Sequence, residues 1–222
     1  MISKCAVLIL ANINPQEIGL RDHTEIETNE FISRAINYSK GAVSVVVGLN
    51  NSLNNSKTEA MGMGDLKVKF LPNTKGALAS LGLLLDQIPD DLPIVIVPTN
   101  AWIKEPLQVF LDEMISQDAD AGMAVIKSNS PDLSYVRYVD SKIVEIHEKE
   151  VVGDFAITGH FFFRDKRVVL DCLDWTLLNN INKNGLLYIA PSLNYSITKG
   201  MKVCSFTADF ENYVHVNHSK GK

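Results

Sequence analysis

Short, continuously apolar runs alternate with stretches of helical spacing through the first half of the chain. Residues 5–11 are apolar throughout with β-branched members, and residues 43–47 repeat the pattern. Such runs predict strands covered on both faces. Between them, residues 27–39 place Phe31, Ala35 and Tyr38 at helical spacing. Residues 50–57 are polar and rich in asparagine, and Met61-Gly62-Met63-Gly64 is locally permissive. This stretch reads as a surface loop, followed by a short edge strand at 66–71. Thr74 and Gly76 open a helix through Leu78, Leu81, Leu84 and Leu85 that Pro89 stops, and residues 93–97 form a third buried strand. A helix over 104–117, with Pro106 tolerated in its first turn, leads to a strand at 121–126.

From Ser134 the pattern changes. Residues 135–139 and 143–147 alternate around Asp140-Ser141, as a β-hairpin does. Residues 156–163 supply another strand, 168–182 a helix and 202–206 a late strand. Parallel βαβ units that give way to a hairpin predict a three-layer α/β/α domain with a mixed central sheet. Its ligand site should lie at strand carboxyl ends.

Length and composition narrow the class. A chain of 222 residues, 46% hydrophobic, suits one α/β domain over 1–222. The start offers only seven apolar residues before Asn12, and no run reaches membrane-spanning length, so a cytoplasmic protein without a leader or a membrane partner is expected. A formal charge of −5 with scattered lysines argues against nucleic acid as a partner and leaves room for a homo-oligomer. Cys5, Cys172 and Cys204 are far apart in or beside apolar runs, which reads as reduced core thiols.

Several segments carry a resemblance through their order and spacing. They are Leu71-Pro72-Asn73-Thr74-Lys75-Gly76-Ala77 before a helix, the strand ending Val97-Pro98-Thr99-Asn100-Ala101-Trp102, Glu145-Ile146-His147-Glu148-Lys149, and Ala156-Ile157-Thr158-Gly159-His160. Tyr188-Ile189-Ala190-Pro191-Ser192-Leu193-Asn194-Tyr195 and the Thr198–Val203 segment follow. Together they resemble the sugar-phosphate nucleotidyltransferases of the GT-A type, over roughly residues 66 to 217. The resemblance implies a Rossmann-like GT-A fold and transfer of a nucleotidyl group from a nucleoside triphosphate to a sugar or small alcohol 1-phosphate, for surface-polysaccharide synthesis. It implies Mg²⁺ or Mn²⁺ as cofactor, and a nucleotide and a sugar phosphate as small-molecule partners.

The same resemblance assigns roles. Ala11, Arg21, Thr74 and Gly76 fall on the nucleotide side, although an N-cap at Thr74 explains that turn equally well. Glu148 would meet sugar hydroxyls and Lys149 the sugar phosphate; the plain alternative is a charged hairpin end. Thr158, Gly159 and Tyr195 would complete the sugar side, with Tyr135 and Arg137 as wall candidates.

The sequence departs from the family where metal-bound triphosphate is held. The glycine-rich loop ending in a basic residue is replaced by Ala11-Asn12-Ile13-Asn14-Pro15-Gln16-Glu17-Ile18-Gly19, in which Pro15 lacks an amide donor and Glu17 repels phosphate. Asn100 stands where an aspartate normally holds the metal, and His215 aligns with the late metal position, unless residues 213–218 are a solvated tail. These departures leave open a catalytically inactive relative that senses ligand or binds a partner. A glycosyltransferase is a third reading, through the paired carboxylates of Asp118-Ala119-Asp120.

Overall fold

The computed structural model describes residues 5–11, 25–50 and 66–215. The expected phosphate loop over 12–19, Arg21, the loop over 51–65 and residues 216–222 lie outside the described residues. The first strands and helices are β1 (Ala6–Ala11), α1 (Glu25–Tyr38), β2 (Ser44–Asn50), β3 (Leu66–Leu71), α2 (Ala77–Leu84) and β4 (Ile94–Val97). They are followed by β5 (Ala101–Ile103), α3 (Leu107–Ser116), β6 (Ala121–Lys127), β7 (Tyr135–Val139), β8 (Lys142–His147) and β9 (Phe155–Phe163). The chain then forms α4 (Lys166–Leu178), α5 (Ile189–Ser192), α6 (Asn194–Thr198), β10 (Val203–Thr207) and β11 (Tyr213–His215).

The main sheet runs β10-β6-β9-β4-β1-β2-β3, with β7 and β8 continuing from one end of β9. β1, β2, β3 and β4 are mutually parallel, and β9 lies antiparallel between β4 and β6. The continuous apolar runs are the inner strands: β1 and β4 are buried along almost their whole length because helices cover both faces. One face packs Leu78 and Leu81 of α2 and Val169 and Cys172 of α4 over the sheet. The other packs Ile32 and Ala35 of α1 and Phe110 and Leu111 of α3. The expected three-layer α/β/α architecture with a mixed sheet is what forms. Each fully buried leucine in these layers contributes about 1.5–3 kcal/mol.

β3 is the sheet edge and carries Lys67 and Lys69, whose ammonium groups bond the carbonyls of Gln87 and Leu83 at 3.0 and 2.8 Å. The Asp140-Ser141 turn closes β7 on β8 with both residues at positive φ, 48° and 63°, as a tight hairpin requires. Two expectations need correction. Pro106 precedes α3 rather than sitting in its first turn. Thr74 does not cap α2: Gly76 is the capping residue, no side chain bonds the helix start, and Thr74 Oγ1 lies 2.7 Å from Ser80 Oγ.

All three cysteines are buried free thiols, and burial pushes Cys5 and Cys172 up to about 11. Among the described residues no helix is long and apolar enough to cross a membrane.

Candidate active site

The carboxyl end of β4 leads into Pro98-Thr99-Asn100, and the chain there turns into the short strand β5. β5 pairs antiparallel with β11, and His215 lies opposite Ala101. This pairing brings Asn100 and His215 to the wall of one cavity of about 280 Å³, which Glu148, Thr158 and Gly159 also line. The reading of residues 213–215 as a solvated tail is therefore overturned, because their backbone is held in a ladder with β5. The cavity has an apolar floor from Leu10, Ile96, Ile157 and Ala190, and polar groups at its walls include Asp132 and Ser134. An apolar hollow with a few convergent polar groups is the usual form of a small-molecule site. A wider hollow of about 770 Å³ adjoins it and shares Leu133, Tyr213 and His215.

Thr158 and Gly159 reach the cavity through an irregularity in the sheet. The pairing of β9 with β6 shifts between Met123 and Val125, so residues 158–160 oppose Ala124 alone. Such bulges re-aim side chains and are common beside active sites. Gly159 takes φ +90°, and a Cβ there would lie 3.1 Å from the Pro98 ring. The Thr158 hydroxyl donates to the Ala124 carbonyl at 3.2 Å and lies 3.0 Å from His160 Nδ1, so its hydrogen-bonding capacity is engaged in the bulge. His160 is fully buried, and desolvation pushes it down to about 3.

Glu148 stands at the end of the hairpin. Its Oε2 accepts a 2.5 Å hydrogen bond from the Ser134 hydroxyl. Burial raises its carboxyl above the usual range, against the opposing effects of that hydrogen bond and of the Lys149 and Lys183 ammonium groups. Lys149 has a left-handed backbone, φ 51°, and its Nζ sits 5.5 Å from the centre of the Tyr188 ring, which itself lines the cavity. A carboxylate of raised basicity beside an ammonium can accept from hydroxyl groups and neutralise phosphate charge.

Other expected site residues fall elsewhere. Tyr195 is turned toward α4: its ring is 6.4 Å from that of Trp175, and Lys199 Nζ lies 5.8 Å from its centre. Tyr195 does not line the cavity, and the neighbouring Asn194 bonds both Ile146 N and Ile146 O at 3.0 and 2.8 Å. Tyr135 is a core residue whose hydroxyl donates to Ser130 O, and Arg137 pairs with Glu145 at 2.9 Å. At Gly76 the space a Cβ would take is filled by Leu187, whose O would lie 2.5 Å away, and the neighbouring Ala77 lines the cavity. Ala11 is buried at the end of β1.

Asp118 and Asp120 flank the start of β6, the end opposite the cavity. There Arg164 bonds Asp118 Oδ1 at 2.9 Å and Asp120 Oδ1 at 3.1 Å, and Asp120 Oδ2 accepts from Lys202 N. These carboxylates tie β6, β9 and β10 together and hold no substrate-facing position, which removes the basis of the glycosyltransferase reading.

The donors expected at the metal positions are an amide oxygen from Asn100 and an imidazole from His215; the carboxylates of Asp132 and Glu148 line the same cavity, and Glu148 is already bonded to Ser134. Among the described residues no three His, Cys, Asp or Glu side chains converge as a ligand set. Magnesium favours carboxylate oxygens and near-ideal octahedral geometry, so the Asn100–His215 pair by itself does not fit a protein-held Mg²⁺.

No protein-family model matches the chain, and no curated protein sequence does. Solved structures do match in fold. The nucleoside-diphosphate-sugar pyrophosphorylase from Vibrio cholerae RC9 superposes with a TM-score of 0.76 at 18% identity, covering 96% of this chain and 95% of its own. The inositol-1-phosphate CTP transferase from T. maritima gives 0.69 at 13% identity, covering 97% and 90%. A Bacillus anthracis protein described as a glucose-1-phosphate thymidylyltransferase, in complex with a sucrose, gives 0.65 at 14% identity, covering 98% and 91%. The chain has the fold of the sugar-phosphate nucleotidyltransferases.

Proposed function

We propose that this protein binds a sugar or small alcohol 1-phosphate in the cavity between β4, β9 and the hairpin end, and transfers a nucleotidyl group to it from a nucleoside triphosphate. The observation that carries the reading is the convergence of Asn100, Glu148, Thr158, Gly159 and His215, distant in sequence, on one small cavity at the carboxyl end of β4. Structures of the same fold whose names specify a nucleoside-diphosphate sugar, and inositol 1-phosphate with CTP, support the choice of substrate class. The product would be an activated sugar or alcohol of the kind consumed in surface-polysaccharide synthesis.

In this mechanism Lys149 neutralises the substrate phosphate and orients its oxygen for in-line attack on the α-phosphorus. A new P–O bond forms as the bond to the β-phosphate oxygen breaks, and pyrophosphate leaves. Glu148 accepts hydroxyl hydrogen bonds from the sugar, and the glycine at 159 keeps the ring's edge clear of a side chain. Ala77 and Leu10 form the end of the cavity nearest α2, where the nucleotide would rest. No step is assigned to a metal ion.

A second reading, a non-catalytic relative that senses sugar phosphate or binds a partner, is favoured by the neutral amide of Asn100 in place of a carboxylate. Thermal denaturation with nucleoside triphosphates and sugar 1-phosphates, each with and without Mg²⁺ or Mn²⁺, separates the two. A ligand at ten times its dissociation constant stabilises by about 1.4 kcal/mol. We expect stabilisation by a sugar 1-phosphate, lost in Lys149→Ala, and a triphosphate response that becomes Mg²⁺-dependent in Asn100→Asp. Sugar-phosphate shifts with no triphosphate response in either protein favour the sensor. Absence of any shift sinks the transferase and the sugar-phosphate sensor and leaves the partner-binding relative.

A further inference from the structure

We infer that Lys183 is a positioning residue for Lys149 and Glu148, and that residues 182–188 form a strut joining the two sides of the cleft. This rests on the reading of Lys149 and Glu148 as the sugar-phosphate contacts. Lys183 lies in the loop after α4, and its Nζ donates to Glu148 O at 2.6 Å and to Lys149 O at 3.2 Å. In an extended strand successive carbonyls point to opposite sides, so one ammonium cannot gather two consecutive ones. Here the left-handed φ of 51° at Lys149 turns both carbonyls the same way, and the charge-assisted bonds hold that turn.

The clamp is itself rigid. Lys183 and Leu186 form a two-residue β-bridge with mutual backbone bonds of 3.0 and 3.1 Å. The turn between them places Asn184 and Gly185 at φ 55° and 78°, the Asn-Gly geometry of a tight hairpin. Asn182 Oδ1 accepts from Gly185 N at 3.1 Å and closes the base of that turn.

The same segment then reaches the other side of the cleft. Leu187 N donates to Lys75 O at 2.8 Å, and Leu187 O accepts from Leu78 N at 3.1 Å. Tyr188 follows directly, with its ring 5.5 Å from Lys149 Nζ. One short loop therefore fixes the backbone that presents Lys149, supplies the aromatic surface its side chain lies on, and seats the start of α2, where Ala77 meets the cavity.

The test uses the full chain with Lys183→Met, Lys183→Arg, Lys149→Met and the double variant Lys183→Met/Lys149→Met. Amide hydrogen exchange needs no ligand. In Lys183→Met it should speed at least tenfold in peptides covering residues 145–151, stay unchanged in peptides from β1 and β4, and be largely restored by Lys183→Arg. Unchanged exchange over 145–151 overturns the inference. If wild-type protein binds a sugar 1-phosphate, Lys183→Met should weaken binding about tenfold, and the double variant should lose clearly less than the sum of the two single losses, since the part of the effect that runs through Lys149 is already gone. Additive losses would show that Lys183 acts independently of Lys149 and also overturn the inference. If the wild type binds no sugar phosphate, the proposed function fails while the exchange result still decides the role of Lys183.

Discussion

Gly76→Ala should be among the most destabilising single-methyl substitutions in the chain, at about 3 kcal/mol. Gly76 adopts φ 99° with ψ 174°, a region essentially confined to glycine, where another residue costs about 1–3 kcal/mol. The added Cβ would also lie 2.5 Å from Leu187 O and 2.8 Å from Leu187 N, and backbone atoms cannot swing aside as a flexible side chain would. Relief requires moving residues 187–188, which strains the bonds from Leu187 to Lys75 and Leu78. Gly200→Ala is the control: its φ is also positive, +68°, but a Cβ there meets nothing within 4 Å. It should cost only about 1 kcal/mol. Urea denaturation of both variants checks the difference. Equal losses would mean that the clash with Leu187 is relieved without cost, and that glycine at 76 is required by its backbone angles alone.

Gly76 also marks the boundary of what the sequence could reveal. A glycine before a helix was legible as special, but the reason for it was not, because Leu187 is far along the chain and its backbone carries no sequence signature. The inner strands were legible because parallel strands covered on both faces must be apolar along their length. β3 was legible through its alternation, and the hairpin through Asp140-Ser141. β5 and β11 were not, since each has three residues, too few for a period, and their pairing depends on segments more than a hundred residues apart.

Within the site, Glu148 and Lys149 stand out as a contiguous charged pair, and the structure puts Glu148 on the cavity wall. Asn100 and His215 were placed by alignment to the resembling family, and β5–β11 pairing is what brings them together. Lys183 had no signal at all, because a lysine that bonds main-chain carbonyls can face any sequence. Tyr195 does not line the cavity, since on its short helix the ring lies beside Trp175 of α4, a contact with no sequence signature. The paired aspartates at 118 and 120 failed as a metal motif for a similar reason: their spacing is that of a ligand pair, but Arg164 and Lys202 N already occupy them.

Acid should destabilise the protein through His160, well before most carboxylates protonate. His160 sits inside the β9 bulge, edge-on to Tyr38 with ring centres 5.7 Å apart, and its Nε2 has no hydrogen-bond partner among the described residues. Burial lowers it from the ordinary 6.5 to about 3, so the folded protein holds the ring neutral while the unfolded chain takes up a proton below about pH 6.5. The unfolded state then binds more protons, and stability falls as pH drops from 6.5 toward 3, by about 2 kcal/mol at pH 5. Glu148 opposes this trend. Its carboxyl is raised in the folded state, so protonation there favours the native protein as pH falls. The net slope therefore understates the histidine, and the difference between wild type and His160→Phe isolates it. The phenyl ring keeps the edge contact with Tyr38 and cannot take up a proton, while Thr158 retains its bond to Ala124 O. Whatever its stability at pH 7, the variant should lose about 2 kcal/mol less than wild type between pH 7 and 5 in urea denaturation. Parallel pH profiles would mean that His160 is protonated in the folded state, with solvent reaching the bulge that shapes the cavity wall at Thr158 and Gly159.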